Sequence, residues 1–396
     1  MNLPGISLAY LHARPLATAL NLLLLALGIA TITVLLLATS QLEERMGRDA
    51  RGIDMVAGAK GSPMQLVLSS VFHLDAPTGN IALDDALALS RHPMVKKAIP
   101  LALGDSFQGH RIVGTNHEYP AHYGARVAAG RLWSAPMEAV LGSEVAASAR
   151  LAVGATFSGA HGLAAGGDAH DEEPFKVVGV LAPGGSVLDR LVLTSVESVW
   201  EIHEHAGKPD GKPSPRREIT ALLIQYATPL AAAMLPRQVN ASPALQAASP
   251  AYESARLFRM IGVGMDVLRA FGMILVLVAG LSVFIALLNA LEDRRYDLAV
   301  MRMLGASRAK LMGLMVLEGV ALSTIGGIAG IALGHLFAEF LGVALKSAQQ
   351  TAVTGWAWYP QELWLLALAA GVGIAAALVP AWRAYRTDVA PILAEG

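Results

Sequence analysis

The 396-residue chain contains no cysteine, so disulfides, thiolate nucleophiles and cysteine-based metal or redox sites are excluded. Charge is also scarce. Only 15% of residues are Asp, Glu, Lys or Arg, while 54% are hydrophobic, a balance too apolar for an ordinary soluble enzyme and expected of a membrane protein. The formal net charge of −1 lacks the basic footprint of a nucleic-acid-binding protein, so any basic patch is local. No G-x-x-x-x-G-K-[ST] occurs, because "GAKGS" at 58 to 62 has the wrong order; these residues hold no Walker-type phosphate loop. G-x-S-x-G and H-E-x-x-H are missing too, which removes the usual signals for a serine hydrolase and a zinc protease.

Long apolar runs are plentiful. Four approach the roughly 20 residues that a bilayer core requires: Leu16 to Thr39, Leu268 to Leu291, Leu311 to Leu345 and Leu363 to Trp382. The first is much longer than the roughly 7–15 residues of a signal-peptide core, so it reads as an uncleaved span. The third is long enough to tilt or protrude. Arg294, Arg295, Arg302, Arg308 and Lys310 lie between spans two and three, Arg383 and Arg386 follow span four, and Arg14 precedes span one. The loop between spans three and four offers only Lys346, with Trp356, Trp358 and Tyr359 suited to an aromatic belt. The positive-inside bias therefore predicts both termini cytoplasmic, with the long segment on the other side of the membrane, which in a Gram-negative cell is the periplasm. The expected divisions are 1–39, 40–267, 268–291, 292–310, 311–345, 346–362, 363–382 and 383–396, with 40–267 and the short 346–362 loop on the periplasmic side.

The 40–267 segment is long enough for its own core. "FKVVGVLA" (175–182), "RLVLTS" (190–195) and "ITALLIQYA" (219–227) read as strands. "LDDALALSRHP" (83–93) and "LPRQVNASPALQAAS" (235–249) read as helices, and 254–269 as a helical stalk leading into span two. Residues 159–174 and 205–217, dense in Gly, Pro and charge, read as loops. The expected fold is thus membrane α-helical, four transmembrane helices with a large α+β domain inserted between helices 1 and 2.

"RRYDLAVMRMLGASRAKLMGLMVLEG" occupies the loop between spans two and three and the start of span three. Leu298, Met301 and Leu304 fall at i, i+3 and i+6, an apolar edge able to fill a groove, and Arg294, Arg295, Arg302 and Arg308 can pair with acidic residues around it. Gly305 permits a turn between two helices. Composition alone favours a blander reading, in which the arginines satisfy the positive-inside bias and bind membrane-lipid phosphates. The motif reverses that preference. Asp297, Arg302, Leu304, Gly305, Ala306 and Ser307, followed by Glu318 and Gly319, resemble the signature of FtsX-like or MacB-like permeases of ABC transporters. The closing Pro380, Ala381, Arg383, Ala384 and Pro391 are similar to that family's C-terminal motif, and "DMVAGAKGSPMQLVLSSVFHLDAPTGNI" (54–81) resembles the opening of its periplasmic domain.

This resemblance implies a permease of the bacterial inner membrane, working as a homodimer or a heterodimer with a related permease, together with a separate ABC ATP-binding subunit. That subunit would hold ATP and Mg, this chain binding no cofactor of its own. It further implies mechanotransmission: closure of the ATPase moves the short cytoplasmic helix and the stalk, and the work appears in the periplasm as extraction or export of a lipoprotein, lipid, peptide or drug, or as control of a periplasmic partner. By analogy of size, the chain is nearer the lipoprotein-extracting and efflux branches than the compact cell-division branch.

In span three, Gly326, Gly327, Gly330 and Gly334 permit close helix approach, in a dimer seam or within the chain. Glu318 reads as interfacial, and His335 with Glu339 as lying at the outer interface. The spans carry too few ionisable groups for a proton relay. His161, His170, His203 and His205, flanked by acidic residues, are weak metal candidates without an established spacing. They support the rival reading, an ATP-independent membrane-anchored receptor or metal-binding protein.

Overall fold

The computed structural model describes residues 15–162, 174–206, 217–346 and 353–386. The centres of the two expected loops, 163–173 and 207–216, lie outside the described residues. In chain order the helices are α1 (Pro15–Asp49), α2 (Pro63–Ser70), α3 (Leu83–Ser90), α4 (Glu118–His122), α5 (Ser143–Ala149), α6 (Val196–Ala206), α7 (Pro229–Ala241), α8 (Pro250–Asp293), α9 (Arg295–Met303), α10 (Arg308–Lys346) and α11 (Glu362–Arg386). The strands are β1 (Met55–Ala59), β2 (Ile81–Ala82), β3 (Val95–Phe107), β4 (His110–Thr115), β5 (Val127–Gly130), β6 (Glu138–Leu141), β7 (Thr156–Phe157), β8 (Ala160–His161), β9 (Phe175–Leu181), β10 (Val192–Ser195), β11 (Glu218–Ile219), β12 (Ala221–Tyr226) and β13 (Leu245–Ala248). They form two compact units, Glu43–Met260 and a second made of Met1–Leu42 with Ile261–Gly396.

In the second unit, α1, α8, α10 and α11 are each long and apolar enough to cross a membrane. The expected stalk at 254–269 belongs to α8, a single 44-residue helix that opens on Pro250, where the missing N–H costs nothing. The span-three glycines resolve into packing within the chain. A Cβ on Gly330 would fall 2.7 Å from the Ile29 Cβ, one on Gly334 2.6 Å from the Thr33 Cβ, and one on Gly326 3.0 Å from Leu25. These three, spaced by four, form the stripe that receives α1, while Gly327 faces Ala369 of α11 at 2.7 Å. Without side chains at these positions the backbones approach closely, which is what holds helices together in lipid.

The other unit is α+β. One eleven-stranded sheet runs β13-β1-β12-β3-β4-β10-β6-β9-β5, with β7 added on β9 and β8 on β3; β2 and β11 make a separate pair. The β4–β10 and β6–β9 ladders are parallel and the others antiparallel. One core gathers Met55, Ile224, Leu235 and Val239 and another Ile112, Leu141, Phe175 and Ile202.

Two expected elements change. The helix predicted over 235–249 is α7 followed by strand β13, because Pro243 drives Ser242 to extended backbone (φ −67°, ψ 138°) and the residues beyond pair with β1. The strand predicted over 219–227 is split at Thr220. Its two halves join different sheets, while the Thr220 backbone N–H bonds the Leu101 carbonyl and its Oγ1 accepts from the Leu103 N–H. Lys60, the basic residue of "GAKGS", donates to the carbonyls of Asn240, Ser242 and Leu245 and so caps the end of α7.

A buried polar cluster lies in the same unit. The Arg190 guanidinium reaches the Asp49 carboxylate at 3.4 Å and donates to the Phe72 carbonyl. Tyr123 donates to the Asp49 carbonyl, and His73 shares a 2.9 Å hydrogen bond with the Tyr119 hydroxyl. Burial, reinforced by Arg111 and Arg190, pushes His73 well below the ordinary histidine range.

Candidate functional site

The segment from Ala290 to Glu318 is a helix–turn–helix whose every bend has a local cause. Helix α8 stops at Asp293, and Arg294 (φ −106°, ψ 11°) turns the chain into the nine-residue α9. At the other end, Gly305 takes φ +95°, a left-handed conformation open to glycine. Its N–H bonds the Arg302 carbonyl, and the Ala306 N–H bonds the Met301 carbonyl, both at 3.0 Å. This pair of bonds is a Schellman closure, and Ala306 is buried beside Met301. Ser307 then caps α10, its carbonyl and Oγ both accepting from the Lys310 N–H. Leu304, Gly305, Ala306 and Ser307 are therefore a C-cap, a left-handed stop, a buried plug and an N-cap in succession.

Packing divides the residues expected to face a partner. Leu298 is buried in a cluster with Leu291, Leu311, Leu314 and Ala381, and Ala299 is buried as well, so the inner face of α9 belongs to this chain's own bundle. The exposed surface is Tyr296, Met303 and Leu304, the last 82% exposed. The expected continuous edge of Leu298, Met301 and Leu304 does not form, because at 3.6 residues per turn six positions rotate the side chain by about 120°. Asp297 is exposed in the first turn of α9, where a carboxylate suits the helix dipole. Arg295 pairs with Glu292 at 2.6 Å on the surface. Arg302 is half-buried in the last turn, and Arg308 and Lys310 are exposed at the start of α10.

The sequence places Arg294 among the arginines able to pair with acidic residues around a partner's groove and Glu318 at the membrane interface; in the structure both are buried and pair with each other. Arg294 is 8% exposed and Glu318 3%. The Arg294 Nη1 lies 3.2 Å from each carboxylate oxygen of Glu318. Beside the pair is a cavity of about 90 Å³ lined by Thr18, Asn21, Asn289 and Leu322 among others. Neither partner betrays this pairing in sequence, since it joins residues 24 positions apart on two elements.

The far end of α10 carries a second polar cluster. His335 is 9% exposed; its Nδ1 lies 2.6 Å from the Gly355 carbonyl and its Nε2 2.9 Å from Glu362. Glu339 accepts from the Thr354 hydroxyl and the Gly355 N–H, and the Gln41 amide both donates to and accepts from the Thr354 backbone. His335 and Glu339 thus pin the 353–361 loop. Gln41 and Glu362 were missed because each sits just beyond an apolar run and draws its meaning from a distant partner. Trp356 and Trp358 are exposed, at 80% and 70%, as an aromatic belt requires.

Of the metal candidates, His161 falls in β8 and His203 and His205 in α6; their side chains, and His170 altogether, lie outside the described residues. Among the described residues no group of three or more His, Asp or Glu is placed to hold a metal.

Comparison with known proteins matches both halves. A family described as "MacB-like periplasmic core domain" matches residues 18–250, and one described as "FtsX-like permease C-terminal" matches 269–389. The pyoverdine export ATP-binding/permease protein PvdT of Pseudomonas putida is 26% identical over 400 residues, covering 94% of this chain and 56% of that protein. The macrolide export ATP-binding/permease protein MacB of Rhodopirellula baltica is 24% identical over 199 residues, 49% of this chain and 26% of that protein. This chain therefore spans from about a quarter to just over half the length of these relatives. Among solved structures, the periplasmic region of MacB from Actinobacillus actinomycetemcomitans aligns with a TM-score of 0.35 and 14% identity, over 53% of this chain and 95% of that one. With an α+β domain between the first and second of four membrane helices and matching family descriptions over both halves, the chain belongs to the MacB/FtsX-like ABC permease family.

Proposed function

We propose that this chain is the permease subunit that carries ATP-driven motion from a separate ATP-binding subunit to its periplasmic domain, in a homodimer or a heterodimer with a related permease. Both termini and α9 lie in the cytoplasm, ATP and Mg bind the partner subunit, and α8 is the stalk through which movement reaches the domain. The work extracts or exports a periplasmic or membrane-derived substrate; the named relatives are export proteins for a macrolide and for pyoverdine, which makes small molecules of those two kinds the first to test.

The observation that supports this reading is the division of α9. One face is locked into the bundle through Leu298 and Ala299, while Tyr296, Met303 and Leu304 stand out from it. A short helix held rigidly on one side and bare on the other is suited to receiving a push. The test is to isolate the tagged chain from its native membrane in mild detergent and identify what stays bound, comparing it with Leu304→Glu and Arg302→Glu. An ATP-binding protein at near-equal stoichiometry that is lost from both variants is the expected result. Retention of that protein by both variants, or its absence from the unaltered chain, refutes the proposal.

A further inference from the structure

The covalent route from α9 to α10 is the four-residue turn Leu304 to Ser307. It pivots on Gly305, which has positive φ and open space on every side where a Cβ would sit. Its two closing hydrogen bonds and the buried Ala306 hold only the C-terminal end of α9 against span three. Arg294, at the opposite end of α9, is fixed in the chain by its own N–H on the Ala290 carbonyl and by its carbonyl on the Leu298 N–H. Its side chain reaches Glu318, ten residues into α10 and thus about 15 Å along that helix.

We infer that the buried Arg294–Glu318 pair is the tether that makes α9 and span three move as one body. Together with the Leu304 to Ser307 turn at one end and the packing of Leu298 on Leu311 and Leu314 between, the ion pair fixes the short helix against α10 along its whole length. Removed from water, a paired guanidinium and carboxylate hold their geometry, because separating them leaves uncompensated charge. Stability alone does not call for such a pair, since well-packed apolar residues of similar size commonly stabilise as much or more. Arg294 and Glu318 are accordingly positioning residues: by bracing the α8–α9 junction on α10, they make a push on α9 move the α8 stalk instead of bending the chain at Arg294. This inference rests on the permease reading above.

The test measures hydrogen exchange in the complex with its ATP-binding subunit, with and without Mg-ATP. Exchange over 295–303 reads the input and exchange over the inserted domain reads the output. Three forms are compared with the unaltered chain: Glu318→Gln, the double Arg294→Met with Glu318→Met, and the swap Arg294→Glu with Glu318→Arg. The apolar double variant matters most, because it satisfies packing without a tether. It is expected to keep the subunit bound, the hydrolysis rate and the response of 295–303, while the response of the inserted domain falls roughly 2- to 30-fold, the usual range for residues that carry coupling. Glu318→Gln shows the same loss, and the swap recovers part of it. A full domain response in the apolar double variant overturns the inference and leaves the pair a stabilising contact only. If Mg-ATP leaves 295–303 unchanged in the unaltered complex, the permease reading itself fails and the tether fails with it.

Discussion

Replacing Gly330 by alanine sets two effects of similar size against each other. In a helix interior the change gains about 0.8–1.0 kcal/mol of intrinsic propensity. The new methyl, however, lies 2.7 Å from the Ile29 Cβ and 2.8 Å from the Ala26 carbonyl oxygen. Neither atom is the free end of a side chain, so α1 and α10 must separate by most of an ångström to reach the ordinary 3.5–4.0 Å contact, and overpacking of this kind costs about 1–3 kcal/mol. Gly313 supplies the control. It lies on the same helix with nothing within 4 Å of its Cβ position, so Gly313→Ala keeps the propensity gain and meets no clash. The propensity contributions cancel between the two variants, leaving the steric cost of about 1–3 kcal/mol as their difference. The assay is thermal unfolding of the purified chain in detergent, followed by tryptophan fluorescence. Gly330→Ala should melt below the unaltered chain and Gly313→Ala at or above it. A Gly330→Ala form as stable as Gly313→Ala refutes the close packing of α1 on α10.

Gly305→Ala should cost about 1–2 kcal/mol, the price of a left-handed residue with a Cβ, with Gly305→Asn milder; circular dichroism and ATP-binding-subunit retention measure it, and equal stability of all three forms contradicts the Schellman turn. Leu298→Ala should lose about 2–5 kcal/mol through the cavity it leaves in the bundle, whereas Leu304→Ala should leave the melting temperature unchanged and weaken only subunit binding. His73 sits well below its ordinary value of 6.5 in the folded domain, so as pH falls below about 6.5 the unfolded chain takes up a proton that the folded one refuses, and stability declines with acid by up to about 1.4 kcal/mol per pH unit for that one site. His73→Gln should show a shallower loss between pH 7 and 5 in thermal melts; an unaltered slope excludes His73 as the source.

The helix-forming and turn-forming features were legible because their causes are local. Apolar runs of sufficient length marked the four spans, the Gly305 turn could be read from one residue's conformational freedom, and the strands at 175–181 and 192–195 stood out as β-branched and leucine-rich runs. The 235–249 segment failed for an equally local reason. Its alanines and leucines suit a helix, but Pro243 ends one and β1 recruits the remainder as a strand, a decision made by a partner almost 190 residues away.

The sequence by itself determined the membrane class, the inserted domain, the turn at 304 to 307 and the absence of cysteine chemistry, because composition, periodicity and capping act over a few residues. Tertiary structure alone decided that Leu298 faces inward and Leu304 outward, that Gly326, Gly330 and Gly334 receive α1, and that Arg294 is held by Glu318. Burial and pairing depend on which surfaces meet after folding. An arginine in a basic loop has the same local sequence whether it awaits a partner protein or closes an ion pair within its own bundle.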